Sequence, residues 1–173
     1  MKLPRVTFRR IFEAPRATVW RAWTDAKHLA KWWGPIGWTA PVCKFEARPG
    51  GAIRIDMKGP DGPVHTMLGT VEVVAAPRKL VFLSGVPDAA GKMMFEVRNT
   101  VTFASRGRRT LVKLEARVIR MTPAAAAFVP GFFLAAMYIV YVIVLAIVKP
   151  ERAPALPKDE SNVPFGEVTV MLL

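Results

Sequence analysis

Few residues in this chain belong to the types that carry out chemistry, and their spacing is not that of a known site. His28, His65 and Cys43 do not stand at metal-ligand spacings such as H-E-x-x-H or C-x-x-C. The chain has no glycine-rich phosphate loop with a lysine, and its three serines lie outside any nucleophile elbow. We therefore expect no metal and no cofactor.

General acid or base catalysis would have to combine His65 with the carboxylate of Glu46, Asp56 or Glu96. The alternation of apolar and polar residues places these carboxylates on the solvent side of their strands. A carboxylate in water keeps its ordinary pKa and is a poor catalyst. Enzyme activity is thus the function that these residues favour least.

The elements that would position these residues follow from the hydrophobic pattern. Six stretches alternate with a period near two, and a strand before Pro15 brings the total to seven. The six stretches are 38–47, 52–58, 64–74, 79–85, 93–104 and 110–120. Between Pro15 and Gly34-Pro35 the pattern predicts two short helices, with Trp20 and Trp23 on their inward face. Short turns imply antiparallel pairing, so we predict an α+β fold with one curved antiparallel sheet and helices on one side.

The same alternation predicts which side chains face the concave side of the sheet. Val71 and Val73 are expected there, and most of the other positions are also apolar. Asn99 and His65 are the strongly polar exceptions and would orient a ligand, unless they bond backbone or water in an ordinary core. The predicted ligand-binding residues are Trp33, Phe45, Met57, His65, Met67, Phe95, Asn99 and Phe103.

The chain is strongly basic, with 25 Lys and Arg against 13 Asp and Glu and a net charge of +12. Such a surplus suits an anionic membrane surface or simply a basic soluble protein. No helix carries a basic stripe interleaved with aromatics, so we predict no nucleic-acid partner. The densest cluster, Arg106, Arg108 and Arg109, falls in a predicted hairpin turn. A single cysteine, Cys43, and the lack of an export signal lead us to expect a cytoplasmic protein.

A second feature is the stretch from Ala124 to Val148, which contains no charged side chain. As a helix it is long enough to cross the ~30 Å hydrocarbon core of a bilayer. Three interpretations stay open: a helix buried between the sheet and a second copy of the chain, a transmembrane anchor, or a replaced C-terminus. We accordingly divide the chain into a domain at 1–122, an apolar helix at 123–148 and a proline-rich tail at 149–173.

Four motifs in order resemble one protein family. Residues 14–25 run A-P-R-A-T-V-W-R-A-W-T-D, 31–35 run K-W-W-G-P, 48–51 run R-P-G-G and 60–62 run P-D-G. Over residues 5–122 the chain resembles the START-like (SRPBCC) superfamily, in the branch of the C-terminal domain of the activator of heat-shock protein 90 ATPase. The resemblance implies a helix-grip fold, in which a long amphipathic C-terminal helix lies across a curved sheet and closes a cavity. The chain departs from this pattern because 124–148 has no polar face.

The resemblance also implies functions. The first is binding of a small hydrophobic or lipid-like ligand between the sheet and the C-terminal helix. The alternatives are a co-chaperone-like domain whose basic outer surface engages an acidic protein partner, and a membrane-anchored domain. A cyclase or hydrolase activity, found in the wider superfamily, is less favoured because only His65 qualifies as an acid or base inside the cavity.

Overall fold

The computed structural model describes residues 3, 5–34, 37–60, 62–123 and 125. The described part contains seven strands and two short helices, as the alternation predicted. In chain order the elements are β1 (Arg5–Phe12), α1 (Arg16–Thr24), α2 (Ala26–Leu29), β2 (Thr39–Phe45), β3 (Ala52–Lys58), β4 (Val64–Ala75), β5 (Lys79–Pro87), β6 (Met93–Arg106) and β7 (Arg109–Met121).

All seven strands form one antiparallel sheet with the order β1-β7-β6-β5-β4-β3-β2. From β2 to β7 each strand pairs with the next one along the chain, and β1 closes the series by pairing with β7. The turn between β6 and β7 contains Gly107 at a φ of +62°, which a glycine adopts without strain. Arg106 pairs with Arg109 across this turn, so the predicted hairpin is confirmed. The arrangement of the sheet and the two helices is consistent with a helix-grip fold.

The turn between β2 and β3 explains the pair of glycines at 50 and 51. Gly50 has a φ of +76°, in the left-handed region. A Cβ on Gly51 would lie 2.0 Å from the backbone oxygen of Glu46, closer than any side chain can come. The local backbone thus requires glycine at both positions, for different reasons.

The first turn of each helix is held by hydrogen bonds to the residue that precedes the helix. The Pro15 carbonyl accepts hydrogen bonds from the backbone amides of Thr18 and Val19, at 3.0 and 3.2 Å. Asp25 caps α2, where its carboxylate accepts from the amides of Lys27 and His28 at 2.9 and 3.1 Å. The hydrogen bond from the His28 amide is the main reason that the pKa of Asp25 lies below its ordinary value.

α1 and α2 pack on the concave side of the sheet and form what we call the helix-covered cluster. Its aromatic centre is Trp23, whose ring lies 4.9 Å from that of Trp32 and 6.1 Å from that of Phe103. The indole of Trp32 also donates to the Ala22 carbonyl at 2.9 Å, so its polar end is satisfied. The buried members are Phe12, Val19, Trp23, Leu29, Trp32, Phe45, Ile53, Ile55, Met67, Val71, Leu80, Phe82, Val101, Phe103, Val112 and Leu114.

One predicted position is wrong. Val73 is 38% exposed and does not face the concave side. The register of β4 against β5 shifts between Val71 and Val73, so a β-bulge inserts one extra residue there. The bulge moves the next inward position to Val74, which packs against the helix-covered cluster.

Residues 126–148, which contain most of the apolar run, lie outside the described residues, as does the tail that follows. The predicted C-terminal helix therefore stays a prediction. Within the described part of the chain, neither α1 nor α2 has the length and apolar character that crossing a bilayer would require.

Candidate functional site

A second, smaller group of apolar side chains lies on the concave side of β1, β7 and β6. Its buried members are Val6, Val97, Ala116 and Val118, with Phe8, Phe95 and Met121 packed around them. Asn99 belongs to this region, because its register partner in β7 is Ala116. We call this group, together with Asn99 and its partner Ser84, the Asn99 face.

The side-chain amide of Asn99 has a defined orientation. Its Nδ2 donates to Ser84 Oγ at 2.9 Å and to the Val97 carbonyl at 3.2 Å, and the Phe82 carbonyl lies at 3.5 Å. Backbone carbonyls can only accept, so the nitrogen must point toward them and Oδ1 must point away. Asn99 is 9% exposed, and its Oδ1 accepts no hydrogen bond from any residue that the structure describes. The face therefore holds an acceptor, on a largely buried side chain, that lacks a described donor.

Small side chains flank this amide. Ala116 stands opposite Asn99 in β7, and Ser84 has Gly69 as its register partner in β4. A Cβ on Gly69 would lie 2.0 Å from the Leu83 carbonyl oxygen, so the approach of β4 to β5 excludes a larger residue there. In the helix-covered cluster, large aromatic rings occupy the corresponding space.

Ser84 was missed at the sequence level, although the alternation contains the signal. Leu80 and Phe82 are both buried in the helix-covered cluster, and Ser84 is the next position on the same side of β5. What the pattern does not show is that the Ser84 hydroxyl accepts from Asn99, because that contact depends on how β5 aligns with β6.

The predicted ligand-binding residues fall into three places. Phe45, Met67 and Phe103 are buried in the helix-covered cluster, and Trp33 and Met57 pack against it. Phe95 and Asn99 lie on the Asn99 face. The structure does not gather all eight residues into one place, and their role in binding stays a prediction.

His65, the eighth residue, lies apart from Asn99. It pairs with Met57 and shares the side of Met67, as predicted, but it is exposed near the start of β4. Its ring lies 5.4 Å from the ring of Trp38. Strand alternation predicts the side of the sheet on which a residue lies, but it does not predict how deeply that residue is buried. His65 and Asn99, the two polar residues that were predicted to orient a ligand, are not neighbours in the structure.

Arg10 is a further concave-side residue that the sequence analysis did not identify. It alternates with Phe8 and Phe12 along β1 and pairs with Val112. Its guanidinium carbon lies 5.4 Å from the centre of the Phe12 ring, a cation–π distance. The signal was present in the sequence, because Val6, Phe8 and Phe12 place position 10 on the apolar side of β1.

None of the described titratable groups with a shifted pKa lies on the Asn99 face. Arg54 holds the carboxylate of Asp56 through two contacts, at 3.2 and 3.0 Å, and Thr66 donates to it at 2.9 Å. The Arg54 hydrogen bonds are the main cause of a lowered Asp56 pKa. Burial raises the pKa of the Cys43 thiol. Within the described ranges, no three His, Cys, Asp or Glu side chains are grouped so that they could hold a metal ion.

Comparisons with known proteins agree with this architecture. A family model described as Activator of Hsp90 ATPase homolog 1-like protein matches residues 13–132. A solution structure of an Arthrobacter aurescens protein superposes with a TM-score of 0.72 at 22% identity, covering 88% of this chain and 94% of that one. For a crystal structure from Mycobacterium smegmatis the TM-score is 0.70 at 22% identity, with coverages of 87% and 94%.

A crystal structure of a Rhodobacter sphaeroides protein is 26% identical, with a TM-score of 0.66 and coverages of 84% and 94%. None of the curated proteins matches the chain. At these identities the structural matches establish the shared fold, and the site must be argued from this chain's own residues.

Proposed function

The chain belongs to the Activator of Hsp90 ATPase homolog 1-like family, and we propose that it binds a small apolar ligand on the Asn99 face. The ligand carries one hydrogen-bond donor, a hydroxyl or an N–H group, that meets Oδ1 of Asn99. The observation that supports this proposal is the orientation of the Asn99 amide, whose nitrogen is satisfied by Ser84 and Val97 while Oδ1 has no described donor.

The energetics favour such a ligand. Removing apolar surface from water stabilises a complex by about 25 cal/mol per Å². A ligand donor would replace water at Oδ1 of Asn99, an exchange that adds about 0.5 to 1.5 kcal/mol and fixes the orientation of the ligand. An apolar pocket with one or two oriented polar groups is the usual composition of a small-molecule site. Affinity would therefore come from the apolar side chains and orientation from Asn99.

The proposal keeps two of the residues predicted from the sequence, Phe95 and Asn99, and adds Ser84, Ala116 and Val118. Phe45 and Phe103 contribute to the helix-covered cluster, where their rings contact Phe82 and the tryptophans of α1. In this proposal those rings support the sheet and do not touch the ligand.

The test is a fluorescence titration with N-phenyl-1-naphthylamine, an apolar probe that has a single N–H donor. We expect saturable binding by the wild-type chain. Asn99→Leu should weaken it by about 3- to 10-fold, because a lost hydrogen bond is worth about 0.5 to 1.5 kcal/mol. The midpoint of denaturant unfolding, measured in parallel, should change little.

Thr100→Val is the matched control. Thr100 neighbours Asn99 on β6 but points to the opposite side of the sheet, so its loss should leave binding of the probe unchanged. Equal binding by the wild-type chain and by Asn99→Leu would remove Asn99 from the site. An absence of saturable binding would overturn the proposed function itself.

Family membership supports a second candidate, stimulation of an Hsp90-type ATPase through protein contact. The observation that favours it is the net charge of +12, which suits an acidic partner. The direct test is the ATPase rate of a purified Hsp90 with and without the chain. An unchanged rate at saturating concentrations of the chain would reject this candidate.

A further inference from the structure

The convex side of the sheet carries two rows of basic side chains that the strand register brings together. In the first row Arg117 of β7 stands between Arg5 of β1 and Arg98 of β6. In the second row Lys113 of β7 stands opposite Arg9, and Thr102 separates it from Lys79 of β5. We call the six basic residues of these two rows the basic face.

The two rows are four residues apart along each strand, which is about 13 Å. Four adjacent strands at about 4.8 Å spacing give the face a width of about 15 Å. Like charges placed directly opposite each other destabilise a sheet. The pairs Arg5↔Arg117 and Arg9↔Lys113 are therefore a cost to folding, and packing of the sheet does not explain them.

Carboxylates offset only part of this charge. Glu115 lies between the rows, 3.8 Å from Arg5 and 3.6 Å from Lys113. Glu72 pairs with Arg98 at 2.7 Å. Among the described residues, Arg9, Lys79 and Arg117 are left without a carboxylate within 4 Å, so the face keeps a positive excess.

The convex side of β2 and β3 is different. Arg54 pairs with Asp56 at 3.0 Å, and Lys44 and Arg48 share Glu46 at 3.0 and 2.7 Å. Hydrogen bonding from Lys44 is the main reason that the pKa of Glu46 is lowered. Arg54, Lys44 and Arg48 thus each have a carboxylate within 3.0 Å, whereas half of the basic face has no described carboxylate within 4 Å.

We infer that the basic face docks on an anionic phospholipid surface. Charge complementarity requires a polyanionic partner about as wide as the face. The sequence beyond β7 favours a bilayer over an acidic protein, because Ala124 to Val148 contains no charged side chain and Arg117 lies near the end of β7. This inference is independent of the Asn99 face, which lies on the other side of the sheet.

The test uses the full chain and two kinds of vesicle, one of phosphatidylcholine alone and one with added phosphatidylglycerol. Sedimentation of bound protein gives a partition coefficient for each. We expect tighter partition onto the anionic vesicles and a decline of that preference with added salt. Binding to both kinds of vesicle alike would overturn the inference and leave an acidic protein as the competing partner.

The variant Arg9→Gln, Lys79→Gln, Arg117→Gln removes the three basic residues of the basic face that have no described carboxylate within 4 Å. Each Lys or Arg near an anionic surface contributes about fivefold, so we expect about a 100-fold loss of partition onto anionic vesicles. The matched control, Lys44→Gln, Arg48→Gln, Lys58→Gln, removes the same charge from β2 and β3 and their turn. It should lose less than about fivefold.

An equal loss in both triple variants would show that net charge alone drives binding, and would overturn the assignment to this face. The six positions substituted in the two triple variants are exposed or half-buried, so both variants should keep the wild-type unfolding temperature. Circular dichroism of each variant checks this before the vesicle experiment. Unchanged binding of the apolar probe shows that the Asn99 face is intact.

Discussion

On one half of the concave side, Trp23, Trp32 and Phe103 fill the space between sheet and helices, whereas on the other half Asn99 is flanked by Ala116 and Ser84. In the first half, the indole N–H of Trp32 donates to the Ala22 carbonyl, so the polar end of this ring is satisfied. In the second half, Oδ1 of Asn99 points away from the three groups that the nitrogen of the same amide contacts. A region filled by closely packed large side chains stabilises a fold. A region with small side chains and an available hydrogen-bond acceptor is instead suited to a ligand.

The largest effect should come from the filled half. Trp23→Ala removes a side chain that is 3% exposed and contacts two other aromatic rings. We expect a loss of about 3 to 5 kcal/mol in the free energy of unfolding, measured by urea denaturation. A loss below about 1 kcal/mol would show that this half is loosely packed, and the distinction between the two halves would fail.

A smaller effect is expected from Ser84→Ala on the other half. Its hydroxyl accepts from the Asn99 amide at 2.9 Å, so its removal takes away the shortest of the three contacts that orient the amide. We expect probe binding to weaken by about threefold, less than for Asn99→Leu, with unfolding free energy changed by less than about 1 kcal/mol. If Ser84→Ala weakened binding more than Asn99→Leu, the ligand would contact the serine and not the amide.

The smallest effect should come from a residue that belongs to neither half. Asp56 has a folded-state pKa below its ordinary value of 3.8, so its carboxylate stabilises the fold at neutral pH and that contribution is lost as pH falls through the folded pKa. Asp56→Asn should lower stability slightly at pH 7 and flatten the decline of stability between about pH 5 and pH 2.

Probe binding by Asp56→Asn should equal that of the wild-type chain at pH 7. Parallel pH curves for wild type and variant would mean that the contacts of Asp56 with Arg54 and Thr66 do not stabilise the fold.

The sequence was sufficient for the seven strands, both short helices and most of the inward positions, because alternation and turn residues are local signals. It was not sufficient for Val73, since the bulge after Val71 is decided by the pairing of β4 with β5. It placed His65 on the correct side but could not show that this residue lies exposed beside Trp38.

The candidate site illustrates the same limit. Asn99 was identified because a polar residue interrupts an apolar run, which is visible in one strand. Ser84 and the two rows of the basic face depend on how neighbouring strands align, and no single strand contains that information. Arg10 could have been found from β1 alone, because the alternation of Val6, Phe8 and Phe12 includes it.

The central claim is that a ligand binds on the Asn99 face and not within the helix-covered cluster. The most direct measurement is a ¹⁵N-¹H NMR titration of the full chain with N-phenyl-1-naphthylamine. We predict saturable shifts of the Asn99 side-chain amide and of the backbone amides of Ala116 and Val118, with the indole signals of Trp23 and Trp32 unmoved. Shifts of those indole signals, with the Asn99 amide unmoved, would contradict the account.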